Sequence, residues 1–311
     1  MTLFLWDASD FDWARGPMNL AAAAADGIVG FTHKATEATW IKHGHTGEAL
    51  ARARDAGLEF IGAYHVVRST SPAEQVDYFL SYLDQVAPWW RDFPGFFHQV
   101  DLELWSYDRV TAATGKAFAE QLAAAQPKRV VMYASRGQYG DQLATLSPDI
   151  PLWNAAYGLN PVAHYPDAYR GDASLNWRPY SGREPVFWQY GSQLTIGTQP
   201  GADCNAFRGS LADLRELITG SREGENDMSV LKRDPSTGAV WISNYVTRRH
   251  VTSPGEWTFL RTAPGVTDLG DLAAGESIDW FGVDVASSVT APTHDELVQA
   301  AFEGAQRAER E

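Results

Sequence analysis

The chain has 311 residues, more than one ordinary domain holds, so a large domain with a small companion is the expected plan. Its net charge is -14, and residues 1–220 carry 17 basic against 24 acidic groups, so neither part looks built to neutralise phosphates and no nucleic-acid partner is expected. A single cysteine, Cys204, excludes an internal disulfide, and no apolar run reaches membrane-spanning length.

Met1 to Asp7 meets a carboxylate too early for the apolar segment of a signal peptide and has no basic leader, so a soluble product made in the cytoplasm is expected. Short apolar runs bounded by turn residues then recur with strand character. They lie at Leu3–Asp7, Ile28–Lys34, Phe60–Val66, Phe96–Glu103, Val130–Tyr133, Leu152–Ala155, Val186–Tyr190 and Ala202–Phe207. Between the early ones fall helical stretches. Ala49–Ala56 stops at Gly57, Pro72–Val86 opens with Ser71 and Glu74 in a capping-box pattern, and Val110–Ala125 stops before Pro127. Eight strands alternating with helices predict an α/β fold, a parallel (β/α) barrel whose active site lies at the C-terminal strand ends. From Ser147 to Gly209 no convincing helix appears, so the barrel should be irregular, with helices missing in its second half.

Gly209–Leu217 reads as a last helix, closing a barrel of residues 1–218. Residues 219–227 form a polar, glycine-containing linker without core formers. Residues 228–311 should make a small α+β module. In it Val230–Arg233, a turn at Asp234–Gly238 and Ala239–Ile242 read as strand, turn, strand, and Asp295–Arg307 reads as a final helix.

The chemistry concentrates at Val100-Asp101-Leu102-Glu103. Residues two apart on a strand share a face, which puts the Asp101 and Glu103 Cα atoms roughly 6.6 Å apart. Two carboxylates on a partly buried face require that one keep its proton or that a cation intervene. Such a pair suits acid-assisted cleavage of a glycosidic bond, where one group donates a proton and one stays charged. Asp7 and Asp203 fall at the expected C-terminal ends of the first and last strands, which are neighbours in a closed barrel. Tyr64, His65, Tyr133, Trp153, Trp188 and Tyr190 fall at other strand ends, giving an acidic, aromatic-lined cleft. Lys34 should pair with an acid near the mouth. His33, His43 and His45 resemble a metal cluster only by proximity in sequence, and no metal or cofactor is expected.

These residues carry a resemblance. Trp6-Asp7-Ala8-Ser9 with Asp12-Trp13, Lys34-Ala35-Thr36-Glu37, Gly62-Ala63-Tyr64-His65, Asp101-Leu102-Glu103, Leu152-Trp153-Asn154-Ala155, Trp188-Gln189-Tyr190 and Asp203-Cys204-Asn205 follow in the order and spacing of a family 25 glycoside hydrolase. That family comprises the Chalaropsis-type lysozymes, or N-acetylmuramidases, common in bacteriophage endolysins. The resemblance spans residues 1 to about 215. Trp6 stands where the family usually has Ile, and Cys204 lies between the last Asp and Asn; neither difference removes a carboxylate.

The resemblance implies a peptidoglycan hydrolase in which Glu103 is the general acid, Asp101 its charged partner, and Asp7 and Asp203 complete the acidic floor. Asp101 would orient the substrate's 2-acetamido group for attack on the anomeric carbon, or water would attack directly with inversion; strand spacing does not separate the two. The enzyme would be made in the host cytoplasm and act on the bacterial wall after release or from the virion. The C-terminal module would bind wall, dock to a virion or mediate oligomerisation; its Trp241, Tyr245, Trp257 and Trp280 suit either sugar binding or a core. Two rivals stand beside this reading: a catalytically inactive barrel that binds wall glycan, and a glycosidase acting on chitin-like polymers.

Overall fold

The computed structural model describes residues 2–220 and, beyond them, 229–237, 239–243, 247–251, 257, 261, 266–272 and 283–284. The chain divides into two compact units, Met1–Gly220 and Ser221–Glu311. The first half of unit one contains β1 (Thr2–Ala8), α1 (Leu20–Ala25), β2 (Ile28–Glu37), β3 (Ile41–Lys42), α2 (Thr46–Asp55), β4 (Phe60–Val66), α3 (Pro72–Val86), β5 (Phe96–Leu102) and α4 (Ala112–Ala125). Its second half contains β6 (Arg129–Ala134), α5 (Arg136–Tyr139), β7 (Leu152–Ala155), β8 (Ala163–His164), α6 (Tyr165–Ala168), β9 (Phe187–Ile196), β10 (Gln199–Arg208) and α7 (Leu211–Thr219).

Eight strands close into a barrel in the order β1-β2-β4-β5-β6-β7-β9-β10, and β10 bonds back to β1. Seven of them run parallel, but β10 is antiparallel to both neighbours. The expectation of an all-parallel barrel is corrected here. β9 and β10 are each ten residues long and meet across Gly197-Thr198, which leaves no length for a crossover helix. Gly197 has φ +54°, and a Cβ there would lie 2.9 Å from the Ala22 carbonyl carbon, so the turn needs glycine.

Helices α2, α3 and α4 cover the first half, whereas after β6 the connections hold only the four-residue α5 and α6 and short 3-10 turns before α7. α3 starts where the sequence implies. The Ser71 hydroxyl accepts from the Glu74 amide, Pro72 takes the first turn, and Gln75, Val76, Phe79, Tyr82 and Leu83 face inward. Alternation along the strands produces two apolar layers. Outward-facing Phe31, Ile61, Phe96 and Met132 pack with Phe79, Phe118 and Leu122 from the helices. Inward-facing Leu3, Leu5, Phe60, Phe97, Val131, Trp153, Phe187 and Phe207 fill the barrel, and Leu214 and Ile218 of α7 join them at the end where β1 begins. Each large side chain so buried contributes about 1.5–3 kcal/mol. The barrel is therefore plugged at one end, and polar side chains gather at the other.

In unit two a five-stranded sheet has the order β14 (Val266–Asp271), β11 (Ser229–Arg233), β12 (Val240–Ser243), β13 (Thr247–Val251), β15 (Val283–Asp284). The expected hairpin forms, with Lys232 opposite Trp241. Leu231, Val240 and Val251 pack with Ile242 and Trp257. The helix expected at Asp295–Arg307, Tyr245, Trp280 and linker residues 221–227 lie outside the described residues. Thr219 belongs to α7, and Gly220 ends it in the left-handed conformation at φ 74°, so any linker starts after Gly220.

Candidate active site

Asp101 is the penultimate residue of β5, with Val66 and Tyr133 as its partners on either side. Glu103 lies just past the strand end and is partly buried. Asp7 is the penultimate residue of β1. Asp203 is not at a C-terminal strand end, because β10 runs the other way. It sits inside β10 directly opposite Asp7, so the reversed strand brings it to the same mouth.

Burial raises all four acids, and charges within the group add to it at Asp101, Asp203 and Asp7. Burial and then the neighbouring Glu103 push the Asp101 carboxyl well above its usual range, with Lys34 opposing. Burial also raises Glu103, and the charges of Lys34 and Arg68 pull it back down. Burial lifts Asp203 far up, with Asp7 the largest electrostatic contributor. Asp7 is pushed up to about 7 by burial, even though the side-chain amides of Asn205 and Gln189 donate to it. Asp101 Oδ1 is buried without a hydrogen-bond partner among the described residues. Such an oxygen stays unpaired at a cost unless protonated or met by a donor.

Tyr64 and Tyr133 stand among these acids. Burial, then Asp7 and Asp101, raise the Tyr64 phenol. The Tyr133 hydroxyl donates to Gln189 Oε1 at 2.7 Å. Lys34 meets Glu37 at 2.6 Å in a buried pair, and Glu37 also takes Arg68 at 2.7 Å. Sequence reasoning did not single out Arg68, and it took Gln189 and Asn205 only as parts of the strand-end and family motifs, with no role of their own. Gln189 bridges both Asp7 oxygens to the hydroxyls of Tyr133 and Tyr157. Period-two alternation holds the missed signal: Asn205 shares a face with Asp203, and an inward Gln189 forces Trp188 and Tyr190 outward.

Four residues expected to line the cleft do not. His65 is fully buried on the outer face of β4, bonded to Thr36 Oγ1 and Gln75 Oε1 and stacked on Phe118. Trp188 and Tyr190 also face outward, where Trp188 packs on Trp177 and Tyr190 donates to the Tyr165 carbonyl. Trp153 points inward but lies beneath the mouth, fully buried, with Nε1 donating to Asn205. Exposed aromatics instead sit on loops following the strands. Phe11 follows β1, Trp40 follows β2, and Trp105 and Tyr107, stacked at 6.0 Å, follow β5.

His33, His43 and His45 gather around Asp10 and Trp13. The Trp13 indole donates to His33, the Asp10 amide donates to His43, and His45 stacks on Trp13 at 4.3 Å. Burial holds His33 down to about 3 and His43 down to about 4, so both are neutral. Among the described residues, no group of histidines, cysteines or carboxylates has the geometry to hold a metal ion. No described helix is long and apolar enough to cross a membrane.

A plugged mixed barrel thus gathers four carboxylates, each raised by burial, at its open end, an arrangement suited to acid-assisted cleavage of a glycosidic bond. The model of glycosyl hydrolases family 25 matches residues 7–198, and the chain belongs to that family. Among solved structures, the bacterial lysozyme from Streptomyces coelicolor is 22% identical, with a TM-score of 0.56 over 70% of this chain and 97% of that one. A muramidase from Trichobolus zukalii is 20% identical, with a TM-score of 0.55 over 70% of this chain and 100% of its own. The catalytic domain of the endolysin ply40, from a bacteriophage of Listeria monocytogenes, is 16% identical, with a TM-score of 0.54 over 71% and 98%. No curated protein matches the chain in sequence. Family and fold together make the chain a glycoside hydrolase of the lysozyme class.

Proposed function

We propose that the chain hydrolyses bacterial peptidoglycan at the β-1,4 bond between N-acetylmuramic acid and N-acetylglucosamine, with Glu103 as the general acid. One observation carries the assignment. Asp101 is buried at the end of β5, and Glu103, just past it, is the member of the pair that reaches the open mouth. Burial raises both carboxyls, which favours a proton retained on the pair for delivery to the leaving glycosidic oxygen. Asp101 Oδ1, buried and unpartnered, is the acceptor offered to the N–H of the substrate's acetamido group. Oriented by that bond, the acetamido oxygen attacks the anomeric carbon as the leaving oxygen takes the Glu103 proton, and water then opens the oxazolinium ion. Asp7 and Asp203, tied into the Gln189–Asn205 network, shape the floor. Tyr64 and Tyr133 line it, and Trp40, Trp105 and Tyr107 offer faces on which sugar rings stack.

A barrel that only binds glycan is the weaker reading, because binding gains nothing from gathering four acids that burial holds above their usual range. The family's bacteriophage members make an endolysin or virion-borne lysin the natural biological setting, with release to the wall after synthesis in the host. Unit two is read as the attachment or self-association module. Borohydride reduction of a peptidoglycan digest tests the bond assignment. Muramicitol as the new reducing end supports it, whereas glucosaminitol as the dominant product makes the enzyme a glucosaminidase.

A further inference from the structure

Val66 of β4 pairs with Glu37 on one side and with Asp101 on the other, so beside the Asp101–Glu103 pair lies a second buried cluster with an unusual charge balance. Glu37 Oε2 meets Lys34 Nζ at 2.6 Å, while Glu37 Oε1 takes Arg68 Nε at 2.8 Å and Arg68 Nη2 at 2.7 Å. All three are buried, with Arg68 only 2% exposed. The Tyr107 hydroxyl lies 3.0 Å from Arg68 Nη2, the guanidinium is 5.3 Å and 5.2 Å from the Trp105 and Tyr107 ring centroids, and Arg68 Nη1 has no hydrogen-bond partner among the described residues. Two cations share one carboxylate, so the cluster carries one excess positive charge.

The chain spends further structure on holding this cluster. The Gln75 side chain accepts from the Arg68 amide and from His65 Nε2, and donates to the Arg68 carbonyl. His65 Nδ1 in turn accepts from Thr36, the residue before Glu37. His65 is thus a neutral brace between β2 and the Arg68 loop, held down to about 3 by burial.

An excess buried charge is costly unless a nearby opposite charge answers it. Among the described residues, the other groups facing the pair supply no competing cation. Asp7 and Asp203 stand across the mouth, and Tyr64, Tyr133 and Tyr139 are neutral phenols raised by burial first and then by neighbouring groups, the acids among them. His43, which faces Lys34 and Glu37, is neutral. We propose that Lys34, Glu37 and Arg68 are positioning residues for the reaction, a triad of net charge +1 that keeps one carboxylate of the Asp101–Glu103 pair ionised and leaves the other its proton. One excess charge answers one carboxylate, not two. Lys34 and Arg68 both act on Asp101 and on Glu103, in the direction this requires. The inference rests on the reading of Glu103 as the acid.

The triad makes a signed prediction that a structural salt bridge does not. Glu37→Gln raises the cluster's net charge, favours ionised Glu103, and moves the alkaline limb of kcat/KM on peptidoglycan to lower pH. Lys34→Met and Arg68→Met lower the net charge and move that limb to higher pH, while Arg68→Lys keeps the charge and leaves it near the wild-type position. Each shift should be about half a pH unit or more, the scale of one charge acting through protein. Carboxyl carbon NMR titration of Glu103 and Asp101 in the same full-length variants reads the shifts without turnover. Should Glu37→Gln fail to fold, the contrast of Arg68→Met with Arg68→Lys decides the matter. Shifts of one common sign, or none in folded variants, overturn the triad. Shifts of the expected signs in a protein that leaves peptidoglycan intact would uphold the triad and remove the proposed activity instead.

Discussion

Asp7 and Asp203 occupy the same rung of the antiparallel β1–β10 ladder, one carboxyl beside the other inside the barrel mouth. The rung places two acids where sequence spacing separates them by almost the whole barrel. The amides of Gln189 and Asn205 hold Asp7, and burial still lifts it to about 7.

That elevation fixes the sign of a pH dependence. Below about pH 4 the carboxyl is protonated in both folded and unfolded chains, and its folded-state preference for the proton is fully expressed as stability. As pH rises toward 7 the unfolded chain ionises first, so stability is lost across that window. Moving the carboxyl from 3.8 to about 7 corresponds to about 4 kcal/mol. Asp7→Asn should therefore gain on the wild type progressively between pH 4 and pH 7. Urea denaturation at both ends of the window measures this, and a constant difference would contradict it.

Trp188 belongs to the wall of the barrel, not to the cleft. It is buried against Trp177, Tyr169 and Tyr190, and its indole donates to the Ala156 carbonyl. Trp188→Ala should cost about 3–5 kcal/mol of stability. The KM of the enzyme that remains folded should stay near the wild-type value. Chemical denaturation and steady-state kinetics on the same preparation separate the two effects.

The strand positions were legible because each is an apolar run ended by a turn residue, and the eight barrel strands fall on the eight runs. Direction was not legible at β10. Both strands of the last hairpin extend past their apolar cores into polar residues, so the runs Val186–Tyr190 and Ala202–Phe207 do not by themselves show that only two residues separate the strands. The Ile196-Gly197-Thr198-Gln199 segment was the signal for a tight turn. Composition alone misassigned faces too. Trp188, Gln189 and Tyr190 all fall at one strand end, and alternation assigns the mouth to the smaller Gln189 alone. Arg68 lay past a strand end in a loop, where no periodicity says that it folds back onto Glu37.

Unit one ends at a complete helix. Ser210 and Asp213 form a reciprocal capping box at the start of α7, and Gly220 closes its end. Residues 1–220 alone should fold and cleave soluble glycan fragments at a rate near that of the full chain, as measured by product release. Residues 228–311 should account for attachment to intact walls, which a pull-down on purified walls reads. A folded fragment that does not bind, with the isolated barrel lysing walls as fast as the full chain, would assign unit two to self-association or docking.

The central claim is that Glu103 delivers the proton. Glu103→Gln keeps the side chain's size and its partly buried place at the strand end while removing the acid. The variant should match the wild type in circular dichroism and in glycan binding, and its turnover of peptidoglycan should fall roughly 100-fold or more. Turnover within a few-fold of the wild type in the folded variant would contradict the account.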